Sequence, residues 1–476
     1  ESRRTLTLEA HIYADGDAPD ALSAIDEWIK IHGIPKPAPL PHGTYEKEIE
    51  FSMQAYLKSL WVPEEKKWWT SKGAGELLSP KGLPHSYVAD LLVGEIVSPD
   101  PEVRRQCRAR AEEVAKIIGG PARLDAQRFP GHLDSALASA ATAASLLMSR
   151  GKDGAWRFDA DQVGTGPFVG MDYHELGKNG EAEVGLCAAK ATAILRYARI
   201  TGDWEAYRQS IPTLEFMEQF RVPRAAQVWE VPVHSPDILA AAEAAEAYLE
   251  AYRFSGDKRW LRNAVTWARR GLPFVYLWDD PEKPFLLGAS IPVYGASWMQ
   301  ASWFGRPVQW NGLRYAEAIL ALAEHDQSYP WRQIATLLTH SAIHQQDQEG
   351  ENVALWPDSI GAIKADKSAW VFAPRMIITN ILTLMGRDEH VRTTIVGEGE
   401  RRLHISAAAA IADAAWDGNV CTFRVTYPAG EQGTVVVFNT AKPQAVALNG
   451  KRMDEGKDLE AGVEAGWRYD PATACL

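Results

Sequence analysis

Several things are scarce in this chain of 476 residues. Four cysteines occur, Cys107, Cys187, Cys421 and Cys475, without CxxC or zinc-like spacing. At this size that argues against a disulfide framework, and Cys107 and Cys187, in apolar or helical context, read as buried thiols. There is no basic cluster: 50 Lys+Arg stand against 62 Asp+Glu, a net charge of −12. Phosphate backbones need a positive face, so nucleic acid is not an expected partner, and a strongly polyanionic polymer is disfavoured. No apolar run approaches the ~20 residues of a membrane helix, so no span and no membrane partner are expected. GxxxxGK[ST], GxGxxG, GxSxG and HExxH are all missing, which removes the common nucleotide, hydrolase-elbow and zinc-protease machineries. His340 and His344 stand at i, i+4, but Ser341 fills the place where a zinc protease needs glutamate. Neither a metal nor a cofactor is expected.

What is present is a recurring phrase. Tyr197-Ala198-Arg199-Ile200-Thr201-Gly202-Asp203-Trp204 returns as Tyr252-Arg253-Phe254-Ser255-Gly256-Asp257-Lys258-Arg259-Trp260. Looser echoes stand at His325 to Trp331 and at Met385-Gly386-Arg387-Asp388. Gly ends one helix in the left-handed conformation and Asp caps the next, so each phrase is the tip of a helical hairpin. A period of roughly 50 residues means stacked hairpins.

Apolar spacing near 3.6, broken by Pro and Gly, predicts twelve helices. They fall near 18–32, 45–61, 85–97, 101–119, 132–149, 181–201, 203–220, 236–255, 257–271, 311–326, 329–346 and 368–386. Long joints at 62–84, 150–180, 221–235, 272–310 and 347–367 alternate with the short Gly-Asp joints. That alternation puts the long loops on one rim of a closed ring, and long loops in compact domains are usually functional. Beyond residue 400, the segments Val420–Tyr427, Gly433–Asn439 and Gln444–Lys451 read as short strands, with Asn449-Gly450 as a tight turn. Residues 5–13 alternate like a strand with no nearby partner.

The Thr201-Gly202-Asp203 and Ser255-Gly256-Asp257 joints, the alternating loops and the trailing strands resemble the six-hairpin glycosidase superfamily of glycoside hydrolases and polysaccharide lyases. The resemblance implies a mainly α, (α/α)6 toroid of six hairpins followed by a small C-terminal β-domain. Its expected boundaries are 1–16 for an N-terminal strand or linker, conceivably the end of an upstream domain, 17–395 for the toroid and 396–476 for the β-domain. It also implies a carbohydrate substrate bound at one barrel mouth. The opening Glu1-Ser2-Arg3-Arg4 reads as that of a processed or trimmed chain, and a secreted or periplasmic bacterial location is the expectation that suits such an enzyme. No individual family is assigned, so no catalytic residue is carried over.

The site is therefore read from the residues. Of eighteen tryptophans, Trp156, Trp229, Trp298, Trp303, Trp310, Trp356 and Trp370 fall in or beside long loops. Indoles stack on the C–H faces of sugars, and equally fill the small cores of long loops. Trp204, Trp260, Trp267 and Trp331 follow helical phase and read as core. The segment Gln227 to Asp237 is the leading candidate. Glu230 lies between Trp229 and Val231, a setting that lifts a carboxyl toward general-acid duty, and His234 can orient or act as base. Ser235-Pro236-Asp237 reads as a helix start with Ser235 as cap.

A second candidate ends a glycine-rich loop with Asp172, Tyr173 and His174, followed by Glu181 and Glu183, which read equally as helix-start charges. A third is Trp356-Pro357-Asp358. Trp310, Asn311, Trp370, His132 and Arg375 read as substrate-binding residues. Hydrolysis needs a protonated carboxyl and a second carboxylate, so the expectation is Glu230 as acid with Asp172 or Asp358 as base. Two other readings stand beside it. One is a uronate-cleaving lyase using Tyr173, His234, Asn311 and Arg375, and the other is a non-catalytic glycan-binding toroid.

Overall fold

A computed structural model of the chain describes residues 12, 14, 16–18, 20–120, 122–124, 133–163, 172–297, 300, 302–387, 391–456 and 465–476. The strand expected over 5–13 falls almost wholly outside them, as do His132, Trp298 and Asp388.

Among the described residues, twelve helices of two or more turns organise the chain. They are α1 Ser23–His32, α2 Tyr45–Gln54 (continued by a π-turn, Ala55–Ser59), α3 His85–Val97, α4 Pro101–Ile118, α5 Leu133–Ser149 and α6 Val184–Thr201. Then come α7 Trp204–Met217, α8 Ile238–Ser255, α9 Lys258–Gly271, α10 Gln309–Leu322, α11 Trp331–Gln345 and α12 Arg375–Leu384. The Gly-Asp tips form as their chemistry requires. Gly202 and Gly256 both adopt φ 76°, the left-handed stop that glycine takes without strain. Asp203 accepts from the Ala206 amide and Asp257 from the Arg259 amide, capping α7 and α9.

Two helix starts differ from expectation. α8 begins at Ile238 with Asp237, not Ser235, as its cap, because the Asp237 carboxylate reaches the Ala240 amide at 2.7 Å. α12 begins at Arg375 rather than near 368. Pro374 disfavours helix just before it, and Val371-Phe372 pairs as a strand with both Trp356-Pro357 and Ser71-Lys72.

Helices α6, α8, α10 and α12 stand side by side, with α7, α9 and α11 packed outside and between them. The run then returns on itself: α12 packs against α2 and α3. The architecture is an (α/α)6 toroid followed by a small sheet-rich region. Its core explains the composition of α8, whose Ala240, Ala241, Ala242, Ala244, Ala245, Ala247 and Ala251 are all buried. Small side chains let α6, α9 and α10 crowd against it at native packing density.

A chain of ion pairs links the inner helices. Asp90 on α3 meets Arg375 at 3.1 Å, Arg314 on α10 meets Glu246 on α8 at 3.2 Å, and Glu246 also holds Arg196 on α6. Deeper in α8, buried Glu250 carries Arg199 and Arg253. The cations around it, led by Arg199, outweigh its desolvation and hold its carboxyl at about 2.

The two rims differ as the joint lengths predict. On the short-joint rim, the strands Arg392–Val396, Leu403–Ala407 and Val435–Phe438 form an antiparallel sheet with Leu403–Ala407 in the centre. His404 Nδ1 bonds the Arg199 carbonyl at the end of α6, and Arg402 lies 4.7 Å over Trp204. Asn449-Gly450, both at positive φ, turns Val446–Leu448 into Lys451–Met453. The other rim belongs to the long loops.

Candidate active site

The long loops are stitched to one another at that second rim. Val233 donates its amide to Leu176, Gly185 to Arg224, Ile238 to Pro292, and Ile360 to Pro307. Ser71-Lys72 joins the first long loop to the last through Phe372 and Val371. Gly73 allows this apposition, since a Cβ there would stand 1.8 Å from the Ala369 carbonyl oxygen. The described parts of the long loops are therefore joined to one another on one rim.

At this rim Glu230 lies within electrostatic reach of Asp358. Glu230, only 9% exposed, follows a turn in which its own amide and that of Val231 both donate to Gln227 O. Burial first, and then the Asp358 charge, lift its carboxyl to about 7. Asp358 is half-buried and lifted to about 6 by desolvation, opposed by a hydrogen bond from Trp310 and by the Arg306 charge. Both carboxyls thus sit above the ordinary range, Glu230 the further, as a coupled pair suited to sharing one proton.

Aromatic walls flank the pair. Trp229 and Trp310 lie parallel within 30°, with ring centroids 6.3 Å apart. Beneath them Val231, Val293, Trp303 and Val308 form a small apolar cluster. A polar hub fixes the Glu230 turn from behind: buried Gln227 donates to Pro292 O and accepts from Asn311 Nδ2 at 3.2 Å. Asp237, capping α8 behind the turn, is fully buried and lifted to about 7 by desolvation, against backbone donors led by Ala240.

The other predicted residues fall into distinct places. Asp172 lies at the surface, where it caps a short turn and accepts from the His174 amide, so its carboxyl sits below the usual range. His174, also exposed, bridges Asp172 and Asp161. Tyr173 is buried in an apolar cluster with Phe158, Leu176 and Val233. His234 sits between Glu183 at 2.9 Å and Glu181 at 3.3 Å, and the hydrogen bond it donates to Glu183 raises its pKa most. Trp356 is buried and donates to Ala373 O, while Trp370 donates to Ser71 Oγ. Arg375 is spent on Asp90 and the Ser86 carbonyl. Trp260, Trp267 and Trp331 are core, and Cys107 and Cys187 are buried. His340 and His344 bond the carbonyls of Ala38 and Pro39.

Sequence reasoning passed over three residues of interest here. Asp90 is buried, with Tyr56 Oη donating to it at 2.8 Å; its signal is a lone charge within Val88-Ala89-Asp90-Leu91-Leu92. Gln227, which supports Glu230, carries no pattern that sets it apart. Glu243, lifted to about 8 by burial and then by Asp237, reads in sequence as an ordinary polar helix position.

A separate hollow of about 650 Å³ lies on the short-joint rim beside Tyr329, Trp331, Arg332 and Arg392. Its charges are spent locally: Arg392 on Glu324, and Asp326 on the Trp331 indole and Ser328.

No family model matches the chain, and no curated protein does either. Among solved structures it is similar to an unsaturated glucuronyl hydrolase from Bacillus sp. GL1, at 13% identity over 71% of this chain and 94% of that one, with a TM-score of 0.43. It is also similar to a GH76 α-mannanase from Bacteroides thetaiotaomicron, at 9% identity over 73% and 96%, TM-score 0.41. A third is an unsaturated glucuronyl hydrolase from Streptococcus agalactiae, at 10% identity over 74% and 98%, TM-score 0.42.

Proposed function

We propose that the chain is a carbohydrate-active enzyme that hydrolyses a glycosidic bond. Glu230 protonates the departing oxygen, and Asp358 serves as the second carboxylate, activating water or attacking directly. The observation that carries this reading is the pairing itself. Two carboxyls on different loops are both lifted toward neutrality, at unequal heights, in a mouth walled by Trp229 and Trp310. Such divergence separates an acid from a base within one site. The indoles supply flat apolar faces for a sugar ring. No metal or cofactor takes part in this scheme.

The lyase reading has less support. Its Arg375 is committed to Asp90, its Tyr173 hydroxyl sits in an apolar cluster, and Asn311 is fully buried against Gln227. Glycan binding without turnover is the remaining alternative.

A screen on aryl glycosides, neutral glycans and uronate polymers tests the proposal. Reducing-sugar release by the wild-type protein, lost in folded Glu230→Gln and in Asp358→Asn, supports it. An ultraviolet-absorbing unsaturated product assigns a lyase instead. Release that persists in Glu230→Gln removes that residue as the acid.

A further inference from the structure

Beside the carboxylate pair, large apolar side chains face solvent around a single glycine. Phe304 is 57% exposed, Trp278 53% and Ile363 81%. Gly305 joins the segments that carry them. Its amide donates to Tyr276 Oη, whose ring lies 5.7 Å from Trp278, and its carbonyl accepts from Ala362, the neighbour of Ile363. Apolar residues exposed singly are ordinary, but several gathered through one turn beside a polar cleft mark a binding surface.

The Phe304 ring is held in place from beneath. Tyr294 stacks on it at 5.2 Å and 22°, and Tyr294 in turn stacks on Phe274 at 4.5 Å and 23°. The Tyr294 hydroxyl donates to the Pro273 carbonyl, which fixes the middle ring of this column. One face of Phe304 is thereby covered and rigid, and the ring still presents more than half its surface to water. A flat aromatic with little rotamer freedom left to lose is a low-entropy platform for a flat apolar ligand face.

The platform adjoins the site. Trp303, next in sequence, turns inward to pack with Val231 and Val308 beside Trp310. Arg306 donates to Ser359 Oγ at 3.1 Å, immediately after Asp358. The surroundings are polar: Asp366 pairs with Arg306, and Lys283 with Asp280. Isolated rings within a polar rim suit a saccharide, which needs C–H stacking and hydroxyl partners together, better than an apolar protein face.

We propose that Phe304 and Trp278 form an outer sugar-binding shelf, holding units of a glycan chain that extends from the Glu230–Asp358 mouth. The identity of the ligand rests on the hydrolase reading. The shelf makes a chain of several sugars, rather than a mono- or disaccharide, the preferred substrate.

The test compares wild-type, Trp278→Ala, Phe304→Ala and the double variant, with Phe304→Trp as the conservative control. Hydrolysis is followed on a polysaccharide series and on an aryl glycoside. Binding is followed by affinity electrophoresis in a Glu230→Gln background. The double variant should lose roughly ten-fold in KM and in gel retention on long chains, about the 1.4 kcal/mol of one decade. Its kcat and its aryl glycoside activity should not change, and Phe304→Trp should retain long-chain binding. Equal effects on short and long substrates, or none on either, overturn the shelf and leave the hydrolase reading standing. Retention by the wild-type protein without any hydrolysis, lost in the double variant, keeps the shelf and removes the hydrolase. Neither retention nor hydrolysis across the panel overturns both. A double variant that changes only self-association, read by light scattering, also overturns the shelf.

Discussion

Asp358 adds its charge to the burial that lifts the Glu230 carboxyl, although the two ride on different long loops of the toroid. Asp358 itself is steadied by the indole N–H of Trp310 and by the charge of Arg306. One mouth thus contains a carboxyl lifted to about 7 and a second lifted to about 6. The predictions below follow from that pair and from the fold that assembles it.

Activity should follow a narrow bell in pH. The base limb at low pH reports ionisation of Asp358 near 6, and the acid limb at high pH reports loss of the Glu230 proton near 7. Glu230→Gln and Asp358→Asn should each lower kcat by about 10²–10⁴-fold. Their circular dichroism and melting temperature should stay near those of wild type. A pH-independent rate between 5 and 8 contradicts the assignment.

Trp310→Phe keeps an aromatic wall but removes the indole donor to Asp358. The carboxylate then loses a stabilising hydrogen bond, so its pKa moves upward and the low-pH limb moves with it. A shift of that limb alone, with the high-pH limb in place, is the expected outcome. A fall in kcat without any change in the pH profile would show that the indole acts only through packing.

Asp237 links folding stability to pH. Its folded pKa, about 7, lies above the unfolded value of about 3.9. A raised folded pKa gives stability that is fully present below about pH 4 and is lost as pH rises through about 7. Glu230 and Asp358 contribute with the same sign. Asp237→Asn retains a good cap without the charge, so melting temperature against pH should flatten between 4 and 7. Asp237→Ala loses the cap at the Ala240 amide as well and should cost a further ~1 kcal/mol.

Glu250 is buried among arginines, so its removal leaves Arg199 uncompensated and Arg253 with Glu324 alone. Glu250→Ala should destabilise by about 3–5 kcal/mol in urea unfolding. A change below about 1 kcal/mol would show that the pair is solvated in solution.

The helical scaffold was legible in the sequence for a local reason. Gly202-Asp203 and Gly256-Asp257 encode a helix stop and a helix start within a few residues, and those signals need no tertiary context. The long loops were legible as loops but not as neighbours. Nothing near Ser71 announces Phe372, and nothing near Gln227 announces Asn311. Glu230, Asp172 and Asp358 looked alike as loop carboxylates. Only their surroundings separate them: Asp172 is exposed with His174 as its partner, whereas Asp358 is enclosed with Trp310. The start of α8 was misread because Ser235 and Pro236 fit a cap pattern, while the three-dimensional cap is the next acidic side chain. Asp90 was passed over because a buried charge on an inner helix is meaningful only when its partner Arg375, far along the chain, is seen.

The most direct test of the pairing is a carboxyl titration of Glu230 by ¹³C NMR, in wild type and in Asp358→Asn. The account predicts a wild-type value near 7 that falls when the neighbouring charge is removed, because a like charge no longer opposes ionisation. A Glu230 carboxyl that titrates in the ordinary range near 4.3 in both proteins would contradict it.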